Sequence, residues 1–428
     1  MTTSTASGTR RGPGLPAVLG AGLLLATVAA ALALVPFDVL PGARPVVDVL
    51  RDFTPAQVAR EEAFHRALRP PAYASLVLAA ATALLLGLTP AGARVVRAVA
   101  RPVGGGWVAQ VLLGTLALGA VGRLVVLPLD ARSEQVLRAY GLSTQRWPDW
   151  LLDVLKSLLV TAGMSAVLLL AVVALARRAP RTWWAWGAAA VALLVVLGSY
   201  VYPVLVEPVF HSFRPLPAGE LRDDLLRLAA GDGVPVQDVL VADASRRTTS
   251  LNAYVSGFGS TRRIVLYDTL LASATPAEVR LVVAHELGHA QEDDVLLGTL
   301  LGALGAAGAV CLLGAVLARP GLLRRSGADG PGDPRVVALL LALAAGGTLL
   351  ATPAVDLVSR RIEARADLHS LRLTGDVATF VASEQRLAVR NLSDLDPGPL
   401  VRALSATHPS PPERIALARA YAQQEAAR

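Results

Sequence analysis

The chain has 428 residues, a net charge of +7, 54% hydrophobic residues and only 17% charged ones, with a mean hydropathy of +0.51. A soluble chain carries about 25% charged residues, so this composition excludes an ordinary soluble domain and points to a multi-pass helical membrane protein. The positive balance is nearly all arginine, with Lys156 the only lysine, and the arginines flank apolar runs at Arg94, Arg97, Arg177, Arg178, Arg324 and Arg325. That is membrane-flanking charge, and without aromatic and basic residues interleaved on a polar domain it argues against a nucleic-acid partner.

A helix needs about 20 apolar residues to cross a bilayer, and about seven runs meet that length. The first is Leu15–Phe37, preceded by Arg10 and Arg11; it is long for a signal peptide and lacks a small-residue cleavage site, so it reads as a retained span. A wet segment from Asp38 to Pro71 follows, with a short amphipathic helix expected after Pro55. The second span is Tyr73–Leu88, the third Trp107–Leu127 with Arg123 inside it, and the fourth Ser157–Ala176. The fifth, Trp183–Val206, carries tryptophans at one end and tyrosines at the other, as interfacial belts do. The sixth, Val295–Leu317, contains the single cysteine, Cys311, which reads as a small packing residue. The seventh, Val336–Thr352, is expected to kink or end at Pro353.

Between the fifth and sixth spans, Glu207 to Asp294 reads as a small mixed domain. Ala218–Gly231 has helical spacing and Val239–Ala242 is a short strand. Leu251–Val255 and Arg263–Tyr267, separated by Gly257, Gly259 and Ser260, suggest a hairpin. Thr275-Pro276-Ala277-Glu278 is a helix start, with a capping threonine, a first-turn proline and a glutamate placed to complete a capping box.

The helix so opened contains His285-Glu286-Leu287-Gly288-His289. Histidines four apart share one helical face and suit one Zn²⁺. Glu286 falls between them, placed to take a proton from the attacking water. Gly288 weakens the helix by about 1 kcal/mol relative to alanine, which suggests close approach by another element or the substrate. Catalytic zinc usually takes a third protein ligand and keeps one position open. Glu363, just past the seventh span, is the candidate, and Asp367 one turn later suits a carboxylate that orients a ligating imidazole. The competing reading pairs Glu363 with Arg360 or Arg361 on a solvated helix end. His65 and His211 have no spaced partners and His369 turns away from the Glu363 face, so all three read as non-catalytic.

These residues resemble the integral-membrane zinc endopeptidases that include the type I CAAX prenyl proteases, with the HtpX-like bacterial proteases as relatives. The likeness extends to Tyr140-Gly141-Leu142-Ser143-Thr144-Gln145 with Asp153 and Lys156, Tyr202-Pro203 to Phe210 with Pro215-Leu216, and Asp243-Ala244-Ser245-Arg246-Arg247. It continues through Asn252-Ala253-Tyr254, Arg263 to Leu270, His408-Pro409 and Glu413-Arg414. The resemblance implies a mainly α fold, with about seven transmembrane helices around a water-filled chamber and a small α+β zincin-like catalytic domain. It also implies that Asn252, Ala253 and Tyr254 form a strand that pairs with an extended substrate, and that His408 and Arg414 approach the metal and support the oxyanion.

The expected division is 1–206 for five spans with their loops and 207–294 for the catalytic domain. Two further spans occupy 295–352, and 353–428 carries the third ligand and the His-Pro motif. The expected function is hydrolysis of peptide bonds in membrane-associated or lipidated proteins, with one Zn²⁺ per chain and Glu286 as general base. An inactive scaffold or chaperone of the same fold is the alternative. A transporter is a further one, raised by the intramembrane Arg123, but it leaves the HExxH motif without a purpose.

Seven spans put the N-terminus and the catalytic domain on opposite sides of the cell membrane. The resemblance places the catalytic side in the cytoplasm, whereas the denser short-loop arginines, from Arg10 and Arg11 to Arg335, lie on the other side. The expectation taken here is a cytoplasmic catalytic side, because the family argument rests on many matched positions in order.

Overall fold

The structure is a computed structural model that describes residues 14–42, 45–257 and 259–428, with the side chain of Ser260 left aside. Arg10 and Arg11, invoked above as flanking charge, lie outside the described residues.

Among these residues seven helices are long and apolar enough to cross a membrane. The helices used below are α1 (Leu15–Leu34), α2 (Pro55–Leu88), α3 (Trp107–Ala139), α4 (Trp147–Arg178), α5 (Trp183–Val201), α6 (Glu220–Gly231), α7 (Pro276–Gln291), α8 (Asp294–Leu317), α9 (Val337–Thr374), α10 (Val377–Asn391) and α11 (Pro411–Ala426). The spans pack side by side in the order α1, α8, α5, α4, α3, α2, α9. Within this arc, α2, α3, α4 and α9 surround a cavity of about 400 Å³ walled by Leu86, Leu118, Thr161, Ala338 and Arg123. The α1–α8 contact depends on small residues: a Cβ on Gly20 would come within 2.9 Å of the Gly308 carbonyl, and backbones that close are typical of helix pairs in lipid.

Two expectations about where helices end are corrected. The amphipathic segment after Pro55 and the second span are one helix that runs through Pro70 and Pro71, and α9 continues through Pro353 to Thr374. A proline removes a helical hydrogen bond but fixes φ near its helical value. In both helices packing prevails over the lost bonds, since α2 and α9 lie along one another and α2 also lies along α3. The start of α2 is well made: Thr54 and Gln57 form a capping box. The end of α9 is equally defined, by Gly375 at φ 64°, whose N–H donates to the Leu371 carbonyl, a geometry that favours glycine. The consequence of the unbroken α9 is positional. A helix anchored among the spans carries Glu363 and Asp367 out to the catalytic region.

The soluble part contains a four-stranded sheet of order β1-β2-β4-β3, with β1 Phe213–Pro215, β2 Asp238–Ala242, β3 Ala253–Ser256 and β4 Arg263–Tyr267. Strands β3 and β4 form the antiparallel hairpin, while β2 and β4 are parallel. Helices α6 and α7 cover one face, burying Leu225, Val239, Ile264, Leu266, Val279, Val283 and Leu287 together. Strand β3 is left at the edge of the sheet, next to α7.

Candidate active site

Helix α7 is fixed at both ends. At its start Thr275 and Glu278 form a capping box, with the Thr275 N–H donating to Glu278 at 2.7 Å. At its end the chain turns through Asp293, at φ 49°, directly into α8. Between these points His285 and His289 project from one face, and their Nε2 atoms lie 3.2 Å apart. Glu363, delivered by α9, closes the triangle: one carboxylate oxygen is 3.2 Å from His285 Nε2 and the other 3.6 Å from His289 Nε2. The three ligand atoms lie within 4.8 Å of one another. Glu363 Oε2 is buried and makes no well-aligned hydrogen bond, although His285 Nε2 and His408 Nε2 lie 3.2 and 3.3 Å from it. A buried carboxylate oxygen aimed at two imidazole nitrogens is an incomplete polar arrangement that a cation completes.

The far nitrogens of the two imidazoles are anchored. His285 Nδ1 lies 2.9 Å from Asp367, and His289 Nδ1 lies 3.0 Å from Asp294. Such bonds hold Nε2 toward the shared point and make the rings better ligands. Each carboxylate is backed by an arginine. Arg414 donates to both oxygens of Asp367, with Nε at 2.8 Å from Oδ2, and its Nη1 lies 2.8 Å from Glu384. Arg365 pairs with Asp294 and, at 3.1 Å, with Glu292.

Burial opposes charge on His285, but its bonds to Asp367 and Glu363 outweigh burial and push its pKa up to about 10. In His289 burial is likewise outweighed, by Asp294 and Glu363, and the pKa reaches about 9. Burial raises the Glu286 carboxyl, opposed by the two histidines.

Glu286 opens on a cavity of about 110 Å³, walled also by Asn252, Leu281, Glu384, His408 and Arg414. His408 Nε2 lies 3.3 Å from Glu363 while 60% of its side chain is exposed. The segment before it is tied to α9, because Arg360 donates to the carbonyls of Arg402 and Ala406. That is where Arg360 goes, rather than to Glu363, and the Arg361 guanidinium lies 6.0 Å from the Phe37 ring. Gly288 faces His369: a Cβ there would sit 3.0 Å from the His369 Cβ. His369 in turn bonds Asp232 at 2.9 Å, so the glycine lets α9 approach α7. His65 bonds the Leu392 carbonyl and His211 sits 4.0 Å from Asp243, both away from the cluster.

Of the strand residues, Asn252 borders the cavity. Ala253 is buried within the sheet core, and Tyr254 stacks edge-on to Tyr267 at 6.4 Å. Three residues of this site had escaped the sequence reading: Asp294, Arg365 and Glu384. Asp294 carried a faint signal, an acid five residues after His289 at the opening of a span.

Comparison with known proteins agrees with this geometry. Residues 215–422 match the description "Peptidase family M48", and residues 72–212 match "CAAX prenyl protease N-terminal, five membrane helices". A Bacillus subtilis protein named uncharacterized metalloprotease YhfN is 32% identical over 300 residues, 70% of each chain. CAAX prenyl protease 1 of Saccharomyces cerevisiae is 27% identical over 325 residues, 72% of each chain. The crystal structure of S. mikatae Ste24p superposes with a TM-score of 0.74 at 22% identity, covering 95% of this chain and 99% of that one, which is a likeness of fold.

Proposed function

The chain belongs to peptidase family M48, and we propose that this membrane metalloprotease is a zinc endopeptidase that cuts membrane-associated or lipidated proteins on the cytoplasmic side of the cell membrane. The observation that carries the reading is the convergence of His285, His289 and Glu363 within 4.8 Å, with each imidazole anchored from behind. Two imidazoles and a carboxylate, three ligands and no more, are the donor set of a catalytic Zn²⁺ site. Bound there, Zn²⁺ supplies a Lewis acid and brings the pKa of water down toward about 7.

The rest of the chemistry falls to the chain. Glu286, pushed upward by burial, takes a proton from the attacking water and returns it to the leaving amine. His408 offers an exposed imidazole at the rim of the cavity to the developing oxyanion. Arg414 is held by Asp367 and Glu384, walls the cavity, and places a positive charge near the oxyanion. Strand β3, at the sheet edge beside α7, suits pairing of Asn252, Ala253 and Tyr254 with an extended substrate. The substrate class follows the names of the relatives, several of which are CAAX prenyl proteases.

The test is elemental analysis of the purified protein together with hydrolysis of a quenched peptide in detergent and in liposomes. About one Zn²⁺ per chain with turnover is expected, and His285→Ala or His289→Ala should lose both. Full metal occupancy in the double variant overturns the site, and a metal-loaded wild type without turnover on any peptide favours the inactive scaffold.

A further inference from the structure

Helix α10 contributes no metal-directed residue, yet it grips the site through one side chain. Asp367 is fully buried, and its two oxygens are shared between His285 and Arg414. Arg414 is nearly buried as well, with 16% of its side chain exposed. A guanidinium in that position needs acceptors on more than one edge. Asp367 takes the Nε/Nη2 edge. The remaining Nη1 points to Glu384 of α10 at 2.8 Å, and the Phe380 ring, one turn earlier on α10, lies 5.9 Å from the guanidinium carbon.

Four residues therefore form one connected network, His285, Asp367, Arg414 and Glu384, in which Arg414 Nη2 also lies 3.5 Å from His285 Nδ1. Every link is a charge-assisted bond between buried groups, which is the strong kind. Without its outer anchor, Arg414 has a buried charge with one acceptor group instead of two. The angle at which it presents Nε and Nη2 to Asp367 is then held only by that bidentate bond and by the Phe380 ring. The Asp367 oxygen that faces His285 loses its fixed direction in turn. Helix α10 is itself secured at its start, where Asp376 accepts from the Thr379 N–H at 2.9 Å, and it packs on both α7 and α11.

We infer that Glu384 is a positioning residue of the metal centre, acting through Arg414 and Asp367 on the orientation of His285. The inference rests on the reading that His285, His289 and Glu363 hold the metal. It makes α10, which also walls the substrate cavity with Phe380, Ser383 and Leu387, a physical link between that cavity and the metal.

The test is a metal-competition titration and the visible spectrum of the Co²⁺-substituted protein. Wild type, Glu384→Gln, Asp367→Asn and the double variant are compared, each in full-length purified form. Loss of a direct partner of a ligating histidine costs about 10–100-fold in affinity, and an effect one bond farther out is expected at roughly 3–10-fold. The Co²⁺ spectrum should shift in Glu384→Gln, and kcat should fall with KM unchanged. In the Asp367→Asn background the Glu384→Gln change should add almost nothing, because the two act in series. Should Glu384→Gln fold poorly, Phe380→Leu loosens the same guanidinium without leaving a charge unpaired and should give a smaller loss in the same assay. An unchanged affinity and spectrum in the variants overturns the inference, as does a full multiplicative effect in the Asp367→Asn background. A wild type that binds no metal removes the functional reading itself, and the inference with it.

Discussion

His285 Nδ1 and Asp367 Oδ1 meet at 2.9 Å, inside a region where Asp367 has no exposed surface at all. Asp367→Ala removes the group that holds the imidazole and leaves Arg414 facing a void. Metal affinity should fall about 10–100-fold, and stability should fall as well, because Arg414 keeps Glu384 as a partner but loses the acceptors on its other edge. Asp367→Asn keeps the volume and one acceptor, so its stability loss should be smaller while its metal defect remains. Competition titration and thermal unfolding measure the two effects separately. Wild-type affinity in Asp367→Ala contradicts the assignment.

Glu286 is next to a ligand without sharing its direction. Glu286→Gln should keep one metal per chain and lose about 10²–10⁴-fold in kcat, the usual contribution of a general base. Equal turnover in the variant, at equal metal content, transfers the role to another group.

Metal binding should release protons. Without metal, the neighbouring carboxylates outweigh burial and push the His285 and His289 pKa values up to about 10 and 9, so protons compete with the metal for these rings near pH 7. A ring must give up its extra proton to become a ligand. Apparent affinity should therefore rise with pH between about pH 6 and 8. The gain should end once pH exceeds both values. Calorimetry in buffers of different ionisation enthalpy counts the protons directly, and a count near zero means the rings are already neutral.

Much of the site was readable because helical spacing is local. The HExxH pattern puts two imidazoles on one face whatever surrounds them, and the four-residue step from Glu363 to Asp367 does the same on α9. Seven spans of about the observed number and position followed from apolar length alone. What could not be read depends on which elements meet. Glu384 is 30 residues from Arg414 and on another helix, and nothing in either local pattern pairs them. The parallel β2–β4 pairing is equally non-local. The segment before Tyr73 was set apart from the second span because it is polar, and Pro353 was read as a kink or an end because proline disfavours a helix interior, whereas both helices run on.

Arg123, the residue that raised a transporter, lies 2.8 Å from Asp130 on the same helix, and Asp130 also accepts from Ser75 of α2 at 2.9 Å. This is an internal ion pair that joins two spans. Asp130→Leu alone leaves Arg123 unpaired, at a cost of about 2.5–3.5 kcal/mol for a charge at mid-helix depth. The double variant Arg123→Leu/Asp130→Leu should recover most of that loss and keep peptidase activity. Unfolding in detergent at graded denaturant, with activity measured alongside, checks both points. A double variant as unstable as the single one makes the pair more than mutual neutralisation.

The orientation of the chain sets two arguments against each other. The short segments after α2 and α4, with Arg94, Arg97, Arg101, Arg177, Arg178 and Arg181, lie at the ends of their spans away from the sheet and the metal-binding residues. By the statistical excess of arginine in cytoplasmic loops, that side should be inside. On the catalytic side the basic residues between spans are Arg44, Arg51, Arg60, Arg66 and Arg69 before the second span, and Arg132, Arg138, Arg146 and Lys156 between the third and fourth. Of these, Arg138 pairs with Glu134 and lies 4.1 Å from the Trp147 ring, and Lys156 bonds the Val209 carbonyl, so these two are structural contacts as much as topogenic charge. The family resemblance read from the sequence spans the chain from α3 to α11 in order, and the proposed orientation rests on it rather than on a count of arginines. The catalytic side is therefore expected in the cytoplasm. Thiol labelling in intact cells decides it, on a Cys311→Ala background, since Cys311 is the only native cysteine and is buried in α8. Ser245→Cys, exposed on the catalytic side, should resist a membrane-impermeant maleimide until the cells are permeabilised. Arg181→Cys, exposed at the opposite end, should react at once. The reverse pattern puts the active site outside the cell, where a protease acting on prenylated cytosolic proteins would have no access to them, and the substrate class would have to be sought among exported chains.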